Sequence, residues 1–134
     1  MFRRRPAALR LLSEVLGTLE LHGEGRLASL VLTRDMLRRT GARHDETEGF
    51  VNYASSLEGV HAAVLFREVE PDATRVSLRA SGRVDVAALA REFGGGGHPN
   101  AAGLTVHADL QKARALVIEA ALRHASAGRA AGRS

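Results

Sequence analysis

The apolar positions of this chain recur at two spacings, which predict an alternation of helices and strands. Apolar residues three and four positions apart mark an amphipathic helix, whereas a short continuous or alternating apolar run marks a strand. Helices are predicted over residues 7–21, 34–40, 46–57, 86–93 and 110–125. Strands are predicted over residues 27–33, 60–66, 75–81 and 104–107. This order predicts an α/β fold in which a mixed sheet of four to five strands is flanked by helices.

Local signals give two of these helices their buried faces. The first helix carries a leucine stripe, expected to face either the core or an interface and formed by Leu9, Leu12, Leu16 and Leu19. Asp45 and Glu48 have the spacing of a capping box, which predicts the start of the helix over 46–57. The buried face of that helix is predicted to consist of Phe50, Tyr53, Ala54 and Leu57.

The strand predicted over 75–81 alternates strictly between apolar and polar residues. Val76, Leu78 and Ala80 share one face, and Ser77, Arg79 and Ser81 share the other. The polar face fits an exposed sheet surface and half of a binding site equally well, because alternation alone does not separate the two.

Length and composition place one domain in this chain. Its 134 residues suffice for a single core, predicted over 7–125, between a flexible N-terminus (1–6) and a disordered tail (126–134). No long uncharged apolar run is present, and Arg10 and Glu14 interrupt any apolar segment of a secretory signal. Cysteine is absent, which fits a reducing compartment. The sequence therefore predicts a soluble, cytoplasmic protein without a membrane partner.

The charge balance favours an anionic partner. The formal net charge is +4, and Lys112 is the single lysine among 19 basic residues. The planar guanidinium fork of arginine matches phosphate well. Aromatic residues make up only 4% of the chain, which argues against extensive stacking on nucleic-acid bases.

A run of four glycines, 94–97, is followed directly by His98 and Pro99. Glycines remove every Cβ from a short arc, so that peptide N–H groups can turn toward one anion, and His98 adds a further donor. A flexible linker is the other interpretation of such a run. The preceding helix and the apolar segment over 101–106 favour a loop within a folded site, and we expect it to bind phosphate.

Three strings in the sequence resemble one protein family. The string Gly95-Gly96-Gly97-His98-x-x-Ala101-Ala102-Gly103 resembles the signature of the DHH-associated domain, the substrate-binding half of DHH-family phosphoesterases. The strings over 47–53 and 76–79 are similar to segments of the nano-RNase and pAp-phosphatase branch. In that branch a serine usually follows the arginine at position 79, whereas this chain has Ala80.

The resemblance implies a set of substrate- and phosphate-binding residues, and no catalytic or metal-binding residue in this chain. The implied residues are Asn52, Arg79, Gly95, Gly96, Gly97, His98, Ala101, Ala102 and Gly103. The DHH domain, absent from this chain, would hold Mn²⁺ or Mg²⁺ and hydrolyse the substrate in cis. The expected partners are short RNA or DNA oligonucleotides or nucleotide phosphates. We expect no hydrolysis by this chain alone, although its parent would be a metal-dependent phosphodiesterase.

Two other interpretations remain at this point. The DHH-associated domain also resembles the C-terminal domain of alanyl-tRNA synthetase, which implies a stand-alone nucleic-acid-binding or regulatory module. The leucine stripe between Leu9 and Leu19 would alternatively serve a structural dimerisation domain, and the chain would then be a homodimer.

Overall fold

Six strands form a single mixed sheet in this protein, flanked by helices. A computed structural model describes residues 3–131. The helices are α1 (Pro6–Leu16), α2 (Arg34–Thr40), α3 (Phe50–Ser55), α4 (Val86–Arg91) and α5 (Leu110–Ala131), with a 3-10 turn at His44–Thr47. The strands are β1 (Glu20–His22), β2 (Leu27–Leu32), β3 (Ala62–Glu70), β4 (Ala73–Ala80), β5 (Gly96–His98) and β6 (Ala101–Val106). The predicted fold class is confirmed, with six strands in place of four to five.

The strands lie in the order β1-β2-β3-β4-β6-β5. Only β2 and β3 pair in parallel among the described strands, and α2, the 3-10 turn and α3 supply the crossover that parallel pairing needs. The predicted hairpin around residues 71–72 joins β3 to β4. The final hairpin joins β5 to β6 across Pro99 and Asn100.

Helices cover the two faces of the sheet unequally. On one face, α4 and α5 bury apolar residues from β2 to β6, including Phe66, Leu78 and Leu104. On the other face, α1, α2 and α3 bury residues of β2 and β3 only, such as Leu30 and Leu65. The rest of that second face carries polar side chains, glycines and Ala101, and α3 borders it, since Asn52 of α3 contacts Arg79. We call it the open half-face, and it consists of Arg75, Ser77, Arg79, Gly96, His98, Ala101, Gly103 and Thr105.

The first helix is shorter than its leucine spacing predicts. It ends at Leu16, and Thr18 fixes this end because its hydroxyl donates to the Val15 carbonyl (2.6 Å) and accepts from the Val31 N–H (2.8 Å). The chain then forms β1 against β2. Of the leucine stripe, Leu12 lies in the core with Ala8, Leu11 and Val15. Leu9, Leu16 and Leu19 are 54%, 39% and 40% exposed, so these three leucines do not face the core.

The helix predicted over 46–57 is also wrong in its first half. Gly49 adopts a left-handed conformation (φ 84°), which separates the 3-10 turn from α3. Phe50 and Ala54 are buried as expected, whereas Tyr53 and Leu57 are 45% and 38% exposed because a shorter helix presents a narrower face to the sheet. The cap at this end uses the Glu46 carboxylate, which accepts from the Arg43 N–H, 2.8 Å.

The two ends of the chain depart from the predicted boundaries. Helix α5 continues to Ala131, and the alanine-rich composition there favours helix. Residues 126–131 continue α5, whereas residues 1–2 and 132–134 lie outside the described residues. The flexible N-terminus and the disordered tail therefore stay predictions. Arg5, assigned to the flexible N-terminus, instead contacts the Glu46 carboxylate through Nε (3.0 Å) and Nη2 (2.9 Å). No helix within residues 3–131 has the length and apolar character to cross a membrane.

Candidate phosphate-binding site

The strand register brings three of the predicted site residues into one row. Arg79 of β4 lies opposite Ala101 of β6, and Ala101 lies opposite His98 of β5. Directly opposed residues of antiparallel strands project to the same face. Arg79 and His98 therefore flank Ala101 on the open half-face, with backbones separated by two strand spacings, or about 10 Å. The small methyl group of Ala101 leaves room for a ligand between the two longer side chains.

Asn52 holds the guanidinium of Arg79 in place. Arg79 Nε donates to Asn52 Oδ1 at 3.2 Å, and Nη1 donates to the Leu78 carbonyl at 2.9 Å. Within residues 3–131, Nη2 has no hydrogen-bond partner, and no carboxylate pairs with this guanidinium. The arginine is thus oriented by neutral acceptors and keeps donors for an anion.

His98 is exposed and is oriented by its own turn. The backbone N–H of Asn100 donates to His98 Nδ1 at 3.1 Å, so in the neutral ring the proton resides on Nε2. The turn itself is anchored, because the Pro99 carbonyl accepts from the Val86 N–H (2.9 Å) and the Asn100 carbonyl accepts from the Ala80 N–H (3.0 Å). This arrangement presents Nε2 as a hydrogen-bond donor at the edge of the sheet.

The glycine run is not the open loop that the sequence predicts. Gly94 (φ 80°) ends α4, and the N–H groups of Gly94 and Gly95 donate to the carbonyls of Arg91 (3.2 Å) and Ala90 (2.9 Å). The second half of the run forms edge strand β5. Helix termination therefore uses the N–H groups of Gly94 and Gly95, and these two groups are not free to bind an anion.

Packing explains three of the four glycines. A Cβ on Gly95 would lie 2.3 Å from the Gly103 carbonyl oxygen, and one on Gly97 (φ 144°) would lie 2.7 Å from the Ala101 oxygen. Gly94 needs its left-handed conformation. At Gly96, however, an added Cβ would meet nothing within 4 Å. Of the two glycines in β5, Gly96 is thus the one above which the fold leaves open space.

A pocket of about 240 Å³ adjoins this row, and its lining includes Arg67, Ser77 and Arg79. Sequence reasoning missed Arg67 and Arg75, which lie opposite each other on β3 and β4. The hairpin turn at 71–72 alone would place Arg67 opposite Val76. An irregularity between Glu68 and Glu70 shifts the register by one residue, so the sequence carried no clear signal for this pair. Among residues 3–131, no group of three or more His, Asp or Glu side chains is arranged to hold a metal ion.

Comparison with known proteins identifies the family. A family model for the DHHA1 domain matches residues 26–123. The chain is 36% identical over 118 residues to the bifunctional oligoribonuclease and PAP phosphatase NrnA of Thermus thermophilus, a match that covers 87% of this chain and 35% of that protein. The crystal structure of an exopolyphosphatase-related protein from Bacteroides fragilis matches with a TM-score of 0.82 and 30% identity, over 90% of this chain and 35% of that one.

The chain therefore belongs to the DHHA1 domain family, which confirms the resemblance seen in its sequence. It spans about a third (35%) of the length of each of the two proteins just described. The C-Ala domain of Aquifex aeolicus alanyl-tRNA synthetase also matches, with a TM-score of 0.52 over 78% of this chain and 97% of that domain. At 18% identity, this last likeness shows a shared fold alone.

Proposed function

We propose that this chain is the substrate-binding domain of a phosphoesterase and that it holds a terminal phosphate of a short oligonucleotide or nucleotide. The observation that carries the proposal is the row formed by Arg79, Ala101 and His98. It combines the guanidinium of Arg79, whose Nη2 is free among the described residues, with the imidazole donor of His98, and the small side chain of Ala101 lies between them. The name of the Thermus relative, an oligoribonuclease and PAP phosphatase, supports a substrate of this class.

Each member of the site has a distinct task in this proposal. Arg79 forms charge-assisted hydrogen bonds to phosphate oxygens, and Asn52 keeps the guanidinium from turning away. His98 donates from Nε2, and the open space above Gly96 lets the phosphate approach the strand backbone. Ala102 is buried behind this surface and supports it from the other face.

Hydrolysis itself is assigned to another part of the parent polypeptide. The described residues offer no cluster that fits a metal ion, whereas metal-dependent hydrolysis needs several carboxylate or imidazole ligands. Mn²⁺ or Mg²⁺ would accordingly be held by a DHH catalytic domain that acts in cis. This chain would bind and orient the substrate.

The test is a titration of the 134-residue chain with a nucleoside 5′-monophosphate, followed by NMR and calorimetry. We expect amide shifts centred on residues 96–101 and at Arg79. Arg79→Ala should weaken binding by about 1.5–3 kcal/mol through loss of a charge-assisted contact. Arg79→Lys should recover only part of that loss, because an ammonium lacks the planar fork.

Arg123→Ala is the matched control for this titration. Arg123 lies on α5, behind the opposite face of the sheet, and its substitution removes the same charge. Equal losses in the Arg79 and Arg123 variants would mean that net charge, and not this site, binds the ligand. A general nucleic-acid-binding module would also show a much steeper salt dependence than a pocket for one phosphate.

A further inference from the structure

Four exposed leucines come from α1 and from the segment that follows it. They are Leu9 and Leu16 of α1, Leu19 directly before β1, and Leu21 in the middle of β1. Leu21 is 56% exposed, more than any other large apolar side chain of the described residues. Scattered exposed leucines are ordinary, whereas leucines gathered in one patch mark an interaction site. The question is therefore whether these four lie together.

The two leucines of α1 lie on the flank that faces β1. Leu9 and Leu16 are seven residues apart, which completes two helical turns to within about 20°, so they share one stripe. The other flank carries Glu14, which pairs with Arg39 of α2 at 2.7 Å. Because α1 packs on β2 and α2 packs on β3, the flank away from α2 is the one nearer to β1.

The leucine of β1 projects to the same face of the sheet. Leu21 lies opposite Ala28 of β2, and opposed residues of antiparallel strands share a face. Ala28 is buried in the cluster to which α1 contributes, so Leu21 lies on the side that α1 covers. Leu19 joins the two groups along the chain. We call Leu9, Leu16, Leu19 and Leu21 the leucine edge.

Strand β1 also has an unpaired side. Within residues 3–131 it pairs with β2 alone and is the outermost strand of the sheet. The backbone groups on the outer side of such a strand are a template for pairing with another strand. Charged side chains usually protect an edge of this kind, but here exposed leucines lie in and beside it.

The three residues of β1 are complementary to themselves. If two copies of β1 pair antiparallel about Leu21, Glu20 of one copy opposes His22 of the other, and this happens twice. Opposite charges at such positions stabilise a strand pair, and like charges destabilise it. A parallel pair in register would instead place Glu20 against Glu20. The charges of β1 therefore select an antiparallel, two-fold arrangement.

We propose that β1 and the leucine edge form a two-fold interface between two copies of this chain. The two six-stranded sheets become one continuous sheet, and the two leucine edges cover each other. The open half-face lies toward the other end of the strand order, from β4 to β5, so both candidate phosphate sites stay accessible. The interface is therefore independent of the proposed function.

Sedimentation equilibrium of the 134-residue chain tests the proposal. We expect a reversible dimer with a Kd in the micromolar range, as for a small interface. Leu21→Glu should weaken the dimer at least about tenfold, because two carboxylates would oppose each other at its centre. The matched control is Leu116→Glu, since Leu116 is also exposed but lies on α5, which covers the opposite face. It should leave the Kd unchanged.

A mixture of two charge variants tests the register. His22→Glu opposes two carboxylates in its own dimer, and Glu20→Lys opposes a lysine to His22, so each should dimerise more weakly than the parent. In the equimolar mixture each opposed pair joins a Glu20 or an introduced glutamate to a basic side chain, and dimerisation should be restored. Thermal melts check folding, because Glu20→Lys also removes an ion pair with Arg114.

Three results would overturn the proposal. A chain that stays monomeric at all concentrations would leave the leucine edge to another domain of the parent polypeptide. A dimer that Leu21→Glu and Leu116→Glu weaken equally, or that neither weakens, would have its interface elsewhere. A mixture that associates no better than its components would exclude the antiparallel pairing about Leu21.

Discussion

One row of residues crosses the second face of the sheet, and its side chains change from buried and apolar to polar or absent halfway along. It runs through Leu30, Leu65, Ser77, Gly103 and Gly96, from β2 to β5. Leu30 and Leu65 lie under α1, α2 and α3 with 0% and 5% of their surface exposed. From Ser77 onward the row is polar or lacks side chains. The same strand geometry thus builds a core in one half and a bare, basic surface in the other.

This difference shows where stability and binding reside. In the covered half, large apolar side chains fill the space beneath the helices. In the open half, arginines take the place of the leucines and glycines reduce the side-chain volume, although the opposite face of the same strands is apolar apart from the buried Thr74. The side chains of this surface contribute little to the stability of the fold, so they are available to bind a ligand.

The largest expected effect is a loss of stability caused by a substitution in the covered half. Leu30→Ala should destabilise the protein by about 2–5 kcal/mol, because it leaves a cavity in a fully buried cluster. Ser77→Ala, in the same row but in the open half, should stay within about 0.5 kcal/mol. Urea titrations followed by circular dichroism measure both values. An equal loss of unfolding free energy in both variants would contradict the difference between a packed covered half and an open half that adds little stability.

The next effect separates packing glycines from the open glycine. Gly95→Ala should destabilise the fold by about 1–3 kcal/mol, because its Cβ would collide with the backbone around Gly103. Gly96→Ala should melt close to the parent temperature but should weaken nucleotide binding, since the methyl group would occupy space open to the phosphate. A Gly96→Ala protein that binds as tightly as the parent would exclude close approach of the ligand at this strand.

The sequence predicted most of the fold but assigned the whole glycine run to a loop, whereas its second half belongs to strand β5. Helical spacing and alternation predicted α4, β3 and β4 well, since these elements bury continuous apolar faces. Strand β5 was missed because its residues, Gly96–His98, have no apolar pattern at all. Its pairing depends on contacts with β6, which lies later in the chain, and on helix termination by Gly94 and Gly95.

Prediction of the site residues from the sequence was also only partly successful. The family motif led directly to Arg79, His98 and Asn52, and the structure brings Asn52 and Arg79 into contact and aligns His98 with Arg79. Arg67 and Arg75 were missed because each looks like an ordinary charged residue near a hairpin turn. Only the pairing register shows that they oppose each other without an acidic partner.

A smaller effect measures whether Arg79 and His98 act on one ligand. In a double-mutant cycle with Arg79→Ala and His98→Ala, the losses in monophosphate affinity should be non-additive by about 0.5 kcal/mol or more, as expected for groups sharing one phosphate. Strict additivity in two variants that keep the parent's melting temperature would show that the row does not form a single site.

The smallest expected effect lies beyond the sheet, at the contact between the N-terminus and the 3-10 turn. Hydrogen bonds from Arg5, with a further one from the Arg43 N–H, lower the pKa of Glu46 from 4.5 to about 2. Because the folded state binds this proton more weakly than the unfolded state, the contact stabilises the protein fully above pH 4.5. The contribution is lost as the pH falls toward 2.

Arg5→Ala should therefore flatten the stability profile between these pH values and leave phosphate binding unchanged. Arg10 lies on α1, which begins directly after Arg5, and forms no ion pair among the described residues, so Arg10→Ala should keep the slope of the parent. Since Arg5 is exposed to solvent and Glu46 is partly exposed, the slope should also shrink as salt is added. A slope that persists in Arg5→Ala would assign the acid sensitivity to another carboxylate, such as Asp35 or Glu92, whose pKa values are also lowered by neighbouring basic side chains.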